Sequence, residues 1–461
     1  MTPERVENLI IGSGEAGKYL AWTLGKQGRD VVVVERGKVG GACPNVACLP
    51  TKNVIHGAKV AAMVREAGRF GVRTGPVEVD MDAVKARKQD MVDALQEMHL
   101  DRFAASGAEL VMGEGRFVGE RTIRVGLNGG GGRVFEAQRV FLDVGSRASL
   151  PPTPGLAEAR PMTHVEALDL ARLPEHLVIL GGGYVGLEFA QAMRRFSARV
   201  TVLNRSGRLL EREDPDVSEA LLQLMDDEGV EVRLHASAVA VEGRSGESVR
   251  ITLDNGQVIE ASDLLVAAGR TPNTDSLDAA KGGVELDARG FVHVDDRLAT
   301  TAPGVWAMGD CAGSPQFTHA SYDDYRVVLA AVLGGSRSTA GRLVPYCLFT
   351  DPELAHVGLS EAAARAAGVP YRLAKMPAAA VLRTRTLSAP RGFLKAVIAA
   401  APDDRILGFT AFAAEAGELL AAVQSAMIAG LPYTALRDAV FAHPTMSEGL
   451  TVLFAEPPKA P

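Results

Sequence analysis

One unit, present twice, restricts this chain more than anything else in it. In "VENLIIGSGEAGKYLAWTLGKQGRDVVVVERG" an apolar run meets Gly12, Gly14 and Gly17, passes into an amphipathic segment, and closes with a second apolar run ending at Glu35. "HLVILGGGYVGLEFAQAMRRFSARVTVLNRSGR" repeats that order with Gly181, Gly183 and Gly186 and ends at Asn204. First glycine and strand-end residue are 23 positions apart in both copies. Each copy predicts a strand, a glycine turn, a helix and a second strand, so that backbone approaches a pyrophosphate and the helix N-terminus stabilises it. A lone G-x-G-x-x-G is weak; within the whole unit it reads as a dinucleotide site. Two such sites suggest two different dinucleotides, the logic of a flavoprotein that takes hydride from a nicotinamide. Glu35 is placed to accept from ribose hydroxyls of the first.

At 461 residues the chain has room for two or three domains. No uninterrupted apolar run approaches bilayer-spanning length. The opening "MTPERVENLIIGSGEAG" lacks signal-peptide features, which makes the cytoplasm the expected compartment. A net charge of −7 gives no reason to expect nucleic acid as a partner. Between the two units, "RTIRVGLNGGGGRVFEAQRVFLDVG" reads as a small β-meander and "SLPPTPG" as a linker. "DLLVAAGRT" reads as a buried strand and turn, and "GVWAMGDCAG" puts Gly309 and Asp310 at a strand end. The remainder mixes short strands with helices, and its Pro-rich tail need not be ordered.

The segment "GGACPNVACLPTK", Gly40 to Lys52, holds two of the four cysteines. So few cysteines do not make a secreted disulfide framework, and a close pair in a reducing compartment points to catalysis or metal. Structural zinc wants four ligands from two close pairs, and only His56 is near. A structural disulfide closing so short a loop restrains little of the unfolded chain. Redox chemistry fits best. Residues five apart in an α-helix are about 7.5 Å apart along the axis, too far for a comfortable disulfide. The pair is therefore expected on an irregular turn leading into a helix whose first turn holds Pro50. Cys48, beside that N-terminus and with Lys52 above it, is the candidate for a stabilised thiolate. Cys43, one turn out, is the candidate for the thiol that meets substrate.

Taken together, these features resemble the class I flavoprotein disulfide reductases, the group containing lipoamide dehydrogenase, glutathione reductase and mercuric reductase. The resemblance rests on the first unit, C-x4-C followed by Pro-Thr-Lys, the second unit, "GDCAG" and the C-terminal "HPTMSEGL", and it covers nearly the whole chain. It implies an α/β fold of two Rossmann-like domains, for FAD and NAD(P), followed by a C-terminal α+β dimerisation domain. The expected bounds are 1–148 and 277–341 for the FAD-binding parts, 149–276 for NAD(P), and 342–461 for the interface. It makes Cys48 the flavin-facing thiolate, Cys43 the interchange thiol, Lys52 and Glu188 an ion pair beside the flavin, and Asp310 a ligand of the ribityl chain. His443, oriented by Glu448, would reach the partner subunit's cysteines as acid and base in a homodimer. Without the resemblance, His443 reads as an ordinary histidine and Glu188 as a solvated helix charge. Gly115 joins the candidate FAD contacts and Gly269 the coenzyme contacts; no metal site is expected.

The coenzyme follows from comparing the two copies. Asn204 stands where Glu35 stands in the first, followed by Arg205 and Arg208, so repulsion toward a 2′-phosphate is gone and charge-assisted donors are on hand. This favours NADPH over NADH, unless the arginines are merely a solvated loop. Tyr184 sits where NADPH-using relatives can carry a tyrosine over the nicotinamide pocket. Ala42, Ala47, Phe441 and the "DVG" at Asp143 depart from the usual pattern. A tail without a cysteine pair argues against mercury, and Asn204 against lipoamide. The expected substrate is a small disulfide of a low-molecular-weight thiol; alternatives are a metal-ion or electrophile reductase, dihydrolipoamide dehydrogenase, and a flavin-bearing redox sensor or complex subunit.

Overall fold

Residues 2–460 are described by a computed structural model. The strand Glu4–Ile11 is the axis of the N-terminal sheet, flanked in parallel by Val31–Glu35 and Gly132–Leu142. Glu109–Gly119 runs parallel to Val31–Glu35, and Val305–Ala307 parallel to Gly132–Leu142. Thr122–Leu127 closes antiparallel between Glu109–Gly119 and Gly132–Leu142. The β-meander of the sequence is therefore part of the same sheet. Central parallel strands are covered on both faces, which is why "VVVV" at Val31–Val34 is an unbroken, buried apolar run.

The second unit builds a four-stranded parallel sheet in the order Asp263–Val266, His176–Leu180, Arg199–Leu203, Glu231–Arg233. Its helix, Tyr184–Arg195, packs against the long helix Cys48–Arg65 of the first. Packing of these two helices brings position 52 to position 188.

The C-terminal part is a five-stranded antiparallel sheet in the order Tyr346–Leu348, Glu353–Gly358, Ile406–Ala413, Phe393–Ala399, Tyr371–Pro377. The helix Ala416–Ile428 lies on it around a core that includes Phe409, Leu419 and Val423. The Pro-rich tail departs from expectation: Lys459 and Leu373 exchange backbone hydrogen bonds at 2.7 and 2.8 Å, so the end of the chain is tied to the sheet edge.

One buried charge cluster joins the second and third parts. The Lys395 side chain, 1% exposed, donates to Asp214 at 2.8 Å, Asp216 at 2.9 Å and Glu361 at 3.1 Å. Asp214 also accepts from the backbone N–H groups of Glu361 and Ala362. A buried ammonium is tolerable only when its donors are satisfied in this way.

Candidate functional site

The two glycine turns have the same construction. Gly12 and Gly181 have φ of +100° and +117°, a region natural to glycine. A Cβ on Gly17 would stand 2.4 Å from the Gly12 carbonyl oxygen, and one on Gly186 2.0 Å from that of Gly181. Only glycine lets each helix sit so close to its strand. Neither helix, Glu15–Lys26 or Tyr184–Arg195, is capped by the side chain of its N-cap residue; the Gly17 N–H of the first is taken by Asp143, and other first-turn N–H groups are left for an anion. At Gly183 and Gly269 a Cβ would meet nothing within 4 Å, so the second turn has open space for phosphates. These features fit dinucleotides.

Glu35 uses its carboxylate to close the first turn. Its Oε2 accepts from the Ser13 N–H at 2.9 Å and the Ser13 hydroxyl at 2.7 Å, and its Oε1 from Gly37 N–H at 2.7 Å. Asn204 does related work in the second copy: its Nδ2 donates to the carbonyls of Ser206 at 3.0 Å and Arg208 at 2.9 Å. The side chain thus shapes the loop that holds Arg205 and Arg208, both exposed. Asp310 is the second residue of the turn Gly309–Ala312, where its carboxylate accepts from the Ser146 hydroxyl and lies 3.5 Å from Arg270. Gly115 lies within Glu109–Gly119, where a Cβ would be 3.3 Å from Ile123.

The cysteine segment differs in detail from expectation. Cys43 lies in a five-residue helical turn, Ala42–Val46, and the irregularity is confined to Ala47, with φ −131° and ψ −106°. The reason is local: the Asn45 amide donates back to the carbonyls of Val39 at 3.0 Å and Gly41 at 2.7 Å, winding the loop into a turn. Cys48 then opens the helix Cys48–Arg65. Both residues are thiols here, and Cys43 and Cys48 are hydrogen-bonded neighbours.

Two unlike thiols result. The Cys43 thiol, hydrogen-bonded to Cys48 and half-buried, is pushed well up from the usual range. Cys48 is lowered to about 6, first by accepting from Cys43, then by Thr318 and the charge of Lys52, against burial and Glu188. Thr318 Oγ1 is 3.3 Å from Cys48 Sγ. Lys52 Nζ is 2.8 Å from Glu188 Oε2 and 4.9 Å from the centre of the Phe349 ring. The Glu188 side chain, 5% exposed, also accepts from the Phe349 N–H at 3.0 Å.

His443 donates from Nδ1 to Glu448 at 2.7 Å, with its side chain 65% exposed. Among the described residues no hydrogen bond joins this pair to Cys43 or Cys48, and Val440 close by is fully exposed. Tyr184 donates to Glu213 at 3.2 Å, and Tyr346 donates to the same buried carboxylate. Thr318, Glu213, Tyr346 and the Phe349 N–H escape a sequence reading because nothing local marks them. Asp143 carried a signal in the unusual "DVG".

A depressed thiolate beside a second thiol, set next to one dinucleotide cradle and packed against another, defines a flavoprotein disulfide reductase. The chain belongs to the pyridine nucleotide-disulphide oxidoreductase family, which matches residues 7–324, with the family's dimerisation domain at 344–453. It is 35% identical to the probable pyridine nucleotide-disulfide oxidoreductase RclA of Escherichia coli, over 98% of this chain and 99% of that one. A mercuric reductase of Streptomyces lividans is 35% identical over 96% of this chain and 94% of its own. The Cu(II) complex of the HOCl-induced flavoprotein disulfide reductase RclA from Escherichia coli superposes with a TM-score of 0.90 at 34% identity, covering 98% and 99% of the two chains. The protein is therefore an FAD-dependent, pyridine nucleotide-using oxidoreductase with a dimerisation domain. Among the described residues no helix is long and apolar enough to cross a membrane.

Proposed function

We propose that the protein is an NADPH-dependent reductase of a small disulfide, working through Cys43 and Cys48. The observation that carries this reading is the opposed pair of thiols, Cys48 lowered and Cys43 raised, with Lys52 beside the lower one. In this reading 1–148 and 277–341 hold FAD, 149–276 holds NADPH, and 342–461 makes the dimer.

Bound FAD supplies the two-electron relay between coenzyme and protein sulfur. Gly12, Gly14 and Gly17 with Glu35, Asp310 and Gly115 would hold it; Gly181, Gly183, Gly186, Gly269, Asn204, Arg205 and Arg208 would hold NADPH, with Tyr184 over the nicotinamide. In the oxidised protein Cys43 and Cys48 are joined by a disulfide. Two electrons break that bond, and Lys52, Thr318 and the helix N-terminus keep Cys48 as thiolate. The partner's His443 takes the proton of the Cys43 thiol, and the resulting thiolate attacks one sulfur of the substrate disulfide; a mixed disulfide forms and one substrate thiol leaves, protonated by the same histidine. Cys48 thiolate then attacks Cys43 sulfur, releasing the second thiol and restoring the internal disulfide. The sum is one NADPH, one proton and one disulfide consumed for two thiols.

A second reading, metal-ion reduction, has its own support in the mercuric reductase relatives and the Cu(II)-bound relative. One experiment separates them: NADPH and NADH oxidation by the purified yellow protein with a panel of small disulfides, then Cu(II) and Hg(II) salts, for wild type, Cys43→Ser and His443→Ala. Disulfide turnover lost in both variants supports the first reading. Metal reduction that survives His443→Ala with no disulfide accepted supports the second. Serine at Cys43 leaving disulfide turnover intact overturns the mechanism.

A further inference from the structure

Asp143 is a buried acid that the mechanism does not use. It follows the strand Gly132–Leu142 and donates its N–H to the Ile11 carbonyl at 2.8 Å, which puts its side chain under the first glycine turn. Oδ2 accepts from the Gly17 N–H at 2.7 Å. A Cβ on Gly14 would be 2.6 Å from the same oxygen, and one on Gly309 3.2 Å from Oδ1. The carboxyl is thus wedged between the turn that would receive the flavin pyrophosphate and the turn that holds Asp310.

Its surroundings are acidic. Glu15 faces it from the helix Glu15–Lys26, Asp310 from the following turn and Asp324 from the helix Thr318–Val332. The nearby cations are committed elsewhere: Lys18 to Glu15 at 2.7 Å, Arg342 to Asp324 at 2.6 Å, Arg270 to Asp310 at 3.5 Å. Cys311 sits on the same side, its thiol pushed up by burial to about 12. The Gly17 N–H and the helix N-terminus favour a charged carboxylate here. Burial, joined by the three acids, outweighs them and raises the Asp143 carboxyl well above the usual range.

We propose that Asp143 is a positioning residue for FAD that works as a neutral carboxylic acid, holding the Gly12–Gly17 turn against the Gly309–Asp310 turn, and that its ionisation loosens the bound flavin. The coupling follows from charge. A pyrophosphate at this helix N-terminus brings negative charge toward Asp143 and draws on the same field of N–H groups. Bound flavin and ionised Asp143 therefore disfavour each other by the same factor, whichever comes first. Asp324 is also raised by burial, but it holds Arg342 at 2.6 Å; the Cys311 thiol titrates too high, which leaves Asp143 to set the alkaline limb.

The test is flavin release from diluted holoenzyme, read by the fluorescence of free FAD at steps from about pH 6 to about pH 9.5. For wild type the apparent dissociation constant rises about tenfold or more, the change a single ionisation can impose over this span. Asp143→Asn keeps the shape and the acceptor for Gly17 N–H; it stays yellow at neutral pH and varies less than about threefold over the range. Equal pH dependence in both proteins overturns the proposal, as does an Asp143→Asn protein that is folded by circular dichroism yet colourless at neutral pH. Should the variant be insoluble, the infrared spectrum of wild-type holoenzyme decides: a protonated-carboxyl band lost in step with flavin release supports the proposal, and a missing or unchanging band overturns it. The inference rests on FAD occupying the first cradle, and wild-type colour at neutral pH registers that separately.

Discussion

Cys48 Sγ and Thr318 Oγ1 lie 3.3 Å apart, joining the first residue of the redox helix to the first residue of the helix Thr318–Val332. The hydroxyl is a donor aimed at a sulfur that must hold negative charge. Replacing Thr318 by Val removes it and raises the Cys48 value by about one unit, the worth of one hydrogen bond to a charged group. Alkylation of the dithiol enzyme as a function of pH reads the shift directly.

The wild-type thiolate sets a pH limit of its own. The Cys48 value is depressed to about 6, so the thiolate is present above that pH and is protonated as pH falls through it. The long-wavelength thiolate-to-flavin absorbance of the two-electron-reduced enzyme should fade over the same interval. Persistence of the band well below about pH 5 would contradict the assignment.

Lys52→Met leaves the buried Glu188 carboxylate without its ion pair. Lys52 is about a third exposed, which tempers the penalty of a broken buried pair to about 1–2 kcal/mol in urea unfolding. The same variant should raise the Cys48 value, while a Lys52→Met, Glu188→Gln double variant recovers part of the stability and, with the opposing Glu188 charge gone, part of the thiolate.

How much of this was legible beforehand depends on sequence distance. The two Rossmann units, the cysteine pair and Lys52 are local patterns whose spacing carries their meaning, and the fold holds them as spaced. Thr318 and the Phe349 N–H reach the site from far along the chain, and no local pattern announces a residue that works by arriving from elsewhere. Glu213 reads as one more acid in "EREDPD" until Tyr184 and Tyr346 converge on it. The helical turn at Cys43 hangs on the Asn45 amide, a side chain with equal claim to ordinary loop conformations. The pinned tail depends on a strand edge nearly ninety residues upstream, at Leu373.

Arg205 and Arg208 stand exposed on a loop that Asn204 shapes. Alanine at both should raise KM for NADPH about tenfold or more, by loss of charge-assisted hydrogen bonds, and leave KM for NADH within about twofold. Steady-state kinetics with the two coenzymes checks this; equal losses with both would make the arginines a general feature of the loop.

The proposed sharing of a site between subunits gives a complementation result. Cys43→Ser and His443→Ala homodimers should each lack disulfide turnover. Unfolded, mixed in equal amounts and refolded with FAD, they should recover about a quarter of wild-type activity, because half the dimers are mixed and each mixed dimer has one intact site. No recovery, with mixed dimers shown by mass spectrometry, would show that His443 does not act across the subunit interface.

The ammonium of Lys395, shut between Asp214, Asp216 and Glu361, bears on how a nicotinamide gets in. Swinging the coenzyme-binding part away from the interface part would part this ammonium from Asp214 and Asp216 and leave it only Glu361, breaking two close ion pairs at once. Entry by wholesale hinge opening is therefore disfavoured, and in the function proposed above access falls to something smaller: rotation of one phenol ring, Tyr184, whose hydroxyl is held by a carboxylate just beside that same welded joint.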